Sequence, residues 1–281
     1  MTTIILTRPD FGHNTYYICD AMKDTQRVKS DAIPKLGPND WVIRWGCTAH
    51  VAAKGANGPK TINKKSAIGE TVNKGTFRSK VAEIGHAPKT WRNVEDWFLE
   101  FEPALPVIIR PLFHQRSEGL FFCKTADEVK AAVKKIGPEY YISEYIAKTK
   151  EWRVFVAQGR VMIVAEKLPK DRKAITWGCV EDGELDYQYW NDWNPALVKC
   201  AVESFNLSKL DFAAIDVMEK DGKFYFLEAN TAPEVWRYYG ETFGKVFTHM
   251  INVNRERIPV VSFDNWKDCI HPALSPLAKV V

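Results

Sequence analysis

At 281 residues, with 46% apolar and 12% aromatic side chains, the chain is long enough for about two domains and can bury a sizeable core. Its net charge of +4 is mild, and Lys and Arg are spread out rather than clustered. This favours small anionic ligands such as nucleotide phosphates over a long nucleic-acid groove. No apolar run approaches the roughly 20 residues of a membrane span, and "MTTIILTRPD" lacks the basic and apolar stretches of a signal peptide, so no membrane partner and a cytoplasmic location are expected. Six cysteines, Cys19, Cys47, Cys123, Cys179, Cys200 and Cys269, form no CxxC pair and read as reduced structural thiols.

In chain order, the first 60 residues read as a small α/β unit: a strand "TIILT" (3–7), a helical stretch near 14–24 and a second strand "WVIRWG" (41–46). The loop "KGANGPK" (54–60) marks a boundary. A helix or helix pair follows in "NKKSAIGETVNKGTFRSKVAEIG" and stops at Gly85, with Pro88 beyond. "PVIIR" (106–110) and "GLFFC" (119–123) read as a hairpin, and Thr125 with Glu128 forms a capping box on a helix closed by Gly137 and Pro138. From 140 the pattern is mostly strand: "YYISEYI", then "EWRVFVAQGRVMIVAEKL" folded at Gln158-Gly159. A polar, tryptophan-rich loop (170–194) leads to a helix from Pro195 to about Asn206, then to the strands "LDFAAIDVM" and "KFYFLEAN".

This last hairpin poses the chemical question. Along "KFYFLEAN" a side-chain period of two sets Glu228 and Asn230 on the face of Phe226, at the end of an otherwise apolar strand. A three-residue Lys220-Asp221-Gly222 loop pairs 219 with 223 and brings Asp216 opposite 226, onto that same face. A two-residue loop would turn Asp216 away; the first register is preferred because it leaves no carboxylate buried alone. Two carboxylates and a carboxamide, without Cys or His, suit a hard cation such as magnesium. Exposed strand-end residues are the bland alternative.

Residues "AAIDVMEKDGKFYFLEANTAP" resemble the closing hairpin of the ATP-grasp superfamily, whose ligases carry an Asp on the first strand and E-x-N on the second. Four further segments follow the family's order, and the resemblance is nearest to carboxylate-amine ligases of the ribosomal-protein glutamate ligase type. It implies an α/β (α+β) fold with a small N-terminal α/β domain (1–62), a first ATP-grasp subdomain (63–139) and a second (140–281) that clasps ATP with it and carries the magnesium site. The implied metal ligands are Asp216, Glu228 and Asn230, for magnesium or manganese. The implied nucleotide contacts are Lys74, Arg110, the hinge Glu144, Tyr145 and Ile146, the ribose-binding Glu151, and Lys167.

By the same resemblance Arg153, in an E-x-R pattern, lies near the transferred phosphate with Lys167; pairing with Glu151 alone is its structural alternative. Arg110 stands where the family usually has Lys, and the loop "HQRSEG" has a single Gly where relatives are glycine-rich. The activity implied is ATP-dependent joining of a carboxylate to an amine through an acyl phosphate, with ADP and phosphate released. An ATP-grasp small-molecule kinase and a non-catalytic nucleotide-binding module are the alternatives. Partners would be ATP, a carboxylate and an amine from an amino acid, peptide or protein terminus; a homo-oligomer stays open. Loops 112–119 and 176–193 would serve as lids, and Arg8, His13, Arg44 and Arg237 are placed by position for substrate.

Overall fold

In the computed structural model of the chain the described residues are 1–10, 15–100, 102–113, 119–177, 185–253 and 255–274. The first sheet is parallel, in the order β2-β1-β3-β4, from β1 (Thr3–Thr7), β2 (Thr25–Lys29), β3 (Trp41–Arg44) and β4 (Lys60–Ile62). Helix α1 (Tyr16–Ala21) crosses between β1 and β2, inside the expected helical stretch. Every residue of β1 and β3 is buried, as strands covered on both faces require.

The basic stretch that follows is a pair of helices, α2 (Lys65–Val72) and α3 (Lys74–Glu83). They break at Asn73, whose side chain accepts from the Thr76 N–H and so restarts the helix with Lys74 at its first position.

The second sheet is antiparallel, in the order β5-β8-β6-β7, from β5 (Thr90–Trp91), β6 (Val107–Pro111), β7 (Phe121–Cys123) and β8 (Tyr140–Glu144). A short α4 (Val94–Phe98) and α5 (Ala126–Ile136) pack on it, and the capping box of Thr125 and Glu128 forms as read. Strand β8, with which the expected second subdomain opens at residue 140, hydrogen-bonds between β5 and β6 of this sheet.

The third sheet has five antiparallel strands in the order β11-β10-β9-β12-β13: β9 (Lys150–Ala157), β10 (Arg160–Pro169), β11 (Leu185–Trp190), β12 (Phe212–Lys220) and β13 (Lys223–Asn230). Strand β11 emerges from the span expected to be only loop; its tyrosines and tryptophan gain from pairing with β10 what the polar surroundings hide. Helices α2, α3 and α6 (Pro195–Asn206) cover one face, where Ile68, Phe77, Val198 and Phe205 meet Val154, Ile215 and Phe226. The first sheet and α7 (Gly240–Asn252) cover the other, where Ile5, Phe243 and Phe247 meet Phe155 and Ala214. Burial on both faces accounts for the nearly continuous apolar runs of β9 and β10.

The final hairpin corrects the expected register. Its loop has two residues, Asp221 and Gly222, at φ 51° and 73°, so Lys220 pairs with Lys223 and Val217 with Phe226. Taken alone this register would turn Asp216 away, as anticipated for a two-residue loop. A β-bulge between Asp216 and Val217 undoes that: Leu227 is left without a partner in the ladder, and Asp216 comes directly opposite Glu228. Phe226 therefore does not share their face; it meets Phe77 of α3 edge-on in the core, while Glu228 and Asn230 lie on the other face with Asp216.

Candidate active site

Asp216 is 1% exposed, and β9 and β10 bring two cations to it. Arg153, opposite it on β9, donates Nε to Oδ1 at 2.8 Å and Nη2 to Oδ2 at 2.9 Å, a bidentate fork. Lys167 of β10 donates Nζ to Asp216 Oδ2 at 2.7 Å and also to Glu151 Oε1. The second oxygen of Glu151 pairs with Lys148 Nζ at 2.7 Å. In the other direction Asn230 donates Nδ2 to Asp216 Oδ2 at 3.2 Å and to Glu228 Oε1 at 3.1 Å. Glu228 Oε2 then accepts from Lys74 Nζ at 2.5 Å, which ties the start of α3 to the end of β13. Seven of the expected residues, Lys74, Glu151, Arg153, Lys167, Asp216, Glu228 and Asn230, thus form one connected network.

The electrostatics follow from burial set against pairing. Burial alone would raise the pKa of Asp216, but Arg153 and Lys167 outweigh it and hold the carboxyl below the usual range. Glu228 is depressed in the same way, against its burial, chiefly by Lys74 and then by Lys167. Burial also works against the charge on Arg153 and Lys167, and the facing carboxylates reverse it, so both are raised. For Lys148 burial prevails over Glu151 and its pKa falls.

Two basic residues of this neighbourhood escape a reading of the sequence. Lys148, three residues before Glu151, also donates to the Ile175 carbonyl at 3.2 Å and lies over the Trp177 ring at 5.1 Å. Arg78, one turn after Lys74, is 5% exposed, hydrogen-bonds Tyr141 and lies within electrostatic reach of Glu228 and Arg110. Spacing of three or four from residues already singled out is the signal that could have found them. Arg110 stands opposite Tyr141 across β6 and β8.

The expected hinge is the connection from β8 into β9. The Glu144 N–H donates to Lys89 O at 2.9 Å, the Tyr145 N–H to Pro106 O at 3.1 Å, and Ile146 O accepts from the Lys148 N–H at 2.8 Å. Of the residues placed for substrate by position, Arg8 follows β1. Arg44 is 7% exposed and donates Nη1 to the Cys47 and Ala49 carbonyls at 3.1 and 2.7 Å, which fixes the loop after β3. Arg237 is exposed in a short turn beyond β13, and His13 lies outside the described residues. Residues 114–118 and 178–184 of the two lid segments also lie outside them. In β11 the Tyr187 ring stacks with Arg153 at 5.4 Å.

The donor set fits magnesium. Asp216 and Glu228 oppose each other with the Asn230 amide hydrogen-bonded to both, and thiol and imidazole take no part in the network. Among the described residues no group of three or more His, Cys, Asp or Glu side chains is placed to hold a metal ion. Two carboxylates suit a cation that completes its shell on phosphate and water. The five cysteines among the described residues are free thiols, and none is in the network. No helix among the described residues is long and apolar enough to cross a membrane.

Comparison with known proteins bears on the family and the fold. The RimK-like ATP-grasp domain matches residues 89–251, more than half of the chain. A D-alanine–D-alanine ligase of Fusobacterium nucleatum is 30% identical over 155 residues, which cover 52% of this chain and 50% of that protein. The chain spans about half the length of the curated relatives it matches. A RiPP-associated ATP-grasp ligase of Chryseobacterium gregarium, solved with ADP and a leader and core peptide, superposes with a TM-score of 0.64 at 14% identity, over 92% of this chain and 100% of that one. The ATP-grasp ligase PsnB, solved with a minimal precursor, Mg and ADP, superposes with a TM-score of 0.60 at 12% identity, over 89% of this chain and 96% of that one. At these identities the likeness shows the fold, and it is the one the closing hairpin implies.

Proposed function

The chain belongs to the RimK-like ATP-grasp family, and from that premise we propose that it is an ATP-dependent ligase joining a carboxylate to an amine. The observation that carries the reading is the buried network itself. Lys74, Lys148, Arg153 and Lys167 surround Asp216, Glu228 and Glu151, so the site holds more fixed cations than carboxylates. ATP brings several negative charges into such a crevice, and only fixed cations let a second anion approach them.

In this reading Lys74, Arg110 and Lys167 bind the phosphates, the main chain of Glu144, Tyr145 and Ile146 holds the base, and Glu151 holds the ribose. Asp216, Glu228 and Asn230 would hold a magnesium ion, which when bound neutralises charge on the β- and γ-phosphates. Arg153 orients Asp216 through its fork and faces the transferred phosphoryl group. A substrate carboxylate oxygen attacks the γ-phosphorus, the bond to the β,γ-bridging oxygen breaks, and ADP leaves. The amine then attacks the acyl carbon, phosphate departs, and the nitrogen loses a proton. The protein supplies position and charge in both steps, and no covalent nucleophile is called for.

The D-alanine–D-alanine ligases and peptide-bound ATP-grasp ligases among its relatives support an amino acid or peptide as substrate. Purified protein with Mg·ATP should release ADP only when both a carboxylate and an amine are supplied. A screen of amino acids, peptides and polyamines, with product masses read by mass spectrometry, identifies the pair. ADP released at full rate without an amine would replace the ligase reading by a kinase.

A further inference from the structure

Helix α3 carries a second buried cation one turn beyond Lys74, within electrostatic reach of Glu228. Lys74 and Arg78 are four residues apart and therefore on one helix face. Between them Gly75 lets the helix press onto the second sheet: a Cβ there would lie 2.6 Å from Leu112 Cδ2 and 3.0 Å from Tyr141 Cβ. This contact buries the Arg78 side chain against Tyr141, where its Nε has no hydrogen-bond partner among the described residues. Burial opposes its charge, but a guanidinium does not deprotonate in a protein, so Arg78 is a buried cation with an unspent donor, within electrostatic reach of Glu228.

Lys74, by contrast, has two claims on it. Its ammonium holds Glu228 at 2.5 Å, and in the proposed function it binds a nucleotide phosphate. Transfer to phosphate leaves a half-buried carboxylate without its nearest counter-charge at the moment it must be ionised and aligned.

Resting on that reading of the site, we propose that Arg78 is a positioning residue that takes over Glu228 when nucleotide draws Lys74 away. Lys74 guards the carboxylate before nucleotide arrives, and Arg78 keeps it aligned afterwards, so magnesium and nucleotide bind cooperatively through Arg78.

The test is calorimetric titration of ADP with and without magnesium chloride, on the parent chain and on Arg78→Met, Arg78→Lys and Lys74→Met. The parent should bind ADP more tightly when magnesium is present. Arg78→Met should bind ADP without magnesium nearly as the parent does, yet lose about tenfold of the magnesium enhancement. Arg78→Lys, which keeps the charge, should recover most of that enhancement, and Lys74→Met should weaken ADP binding in both conditions. A parental enhancement in folded Arg78→Met overturns the proposal. So does an equal loss with and without magnesium, which would make Arg78 a direct phosphate ligand or a packing residue. A midpoint of thermal unfolding on each variant identifies misfolding, and if Arg78→Met misfolds, failure of folded Arg78→Lys to keep more than a tenth of the enhancement overturns it instead. Absence of ADP binding by the parent chain would instead remove the nucleotide reading itself.

Discussion

Asp216 and Glu228 face each other across β12 and β13, yet they are held in different ways. Asp216 is 1% exposed and gripped by a bidentate Arg153 and by Lys167, each from a strand of the same sheet. Glu228 keeps 23% of its side chain exposed, and among the described residues it pairs with Lys74, which arrives from a separate helix. The first end is framework, because its charges lie in a dry interior and Asp216 is the carboxylate that Arg153 and Lys167 share. The second end is exchangeable, because the pair joins two elements that packing does not lock into one ladder.

This contrast is broken most directly at Asp216. Asp216→Ala leaves Arg153 and Lys167 buried without their shared partner and should cost about 3–5 kcal/mol in urea unfolding. A loss no larger than that of a surface ion pair would show that the framework end is no more rigid than the other.

Glu228→Ala is the complementary case. Stability should change by about 1 kcal/mol or less, as for other partly solvated pairs. Magnesium-dependent ATP turnover should fall about 100-fold or more, since the change removes a charge from where phosphoryl charge must be offset. Turnover at the parental rate would remove Glu228 from the site.

Acid titration sharpens the contrast further. Both carboxyls are depressed in the folded chain, so their ion pairs contribute stability fully above the unfolded pKa values of about 3.9 and 4.3. That contribution is lost as pH falls below them toward the folded values, because the unfolded chain takes up protons first. Glu228→Gln should therefore flatten the loss of unfolding free energy between about pH 5 and pH 3, and a limb as steep as the parent's would mean that Lys74 stabilises nothing in solution.

The sequence carries the site's composition more clearly than its geometry. Asp216, Glu228 and Asn230 stand out because polar residues interrupt apolar strands, whereas Lys74 is reached only through the family resemblance of the segment around it. The bulge at Leu227 is invisible by contrast: it is decided by which strands pair and which face must carry Asp216, a non-local balance that the two-residue loop by itself would get wrong. Strand β11 is hidden for a similar reason, since its partner β10 supplies the ladder and the local composition reads as loop. Arg78 and Lys148 look like ordinary solvated residues until the fold buries them. Arg44 shows the reverse, a conspicuous charge whose Nη1 is spent on its own loop's carbonyls.

The smallest expected effect is at Arg110, where the chain departs from the usual lysine of the family. Arg110 lies opposite Tyr141, on the second sheet rather than in the Asp216 ladder, so it belongs with the exchangeable side of the site. Arg110→Lys keeps the positive charge and removes only the planar fork, which can contact two phosphate oxygens at once. ADP affinity measured by fluorescence titration should therefore fall by about threefold to tenfold, a smaller change than the loss of a full charge would produce. The unfolding midpoint should stay with the parent, because the charge at position 110 is kept and Asp216 is held by Arg153 and Lys167. Complete loss of ADP binding would mean that the fork itself, and not the charge, fixes the phosphate, and Arg110 would then move to the rigid side of the comparison.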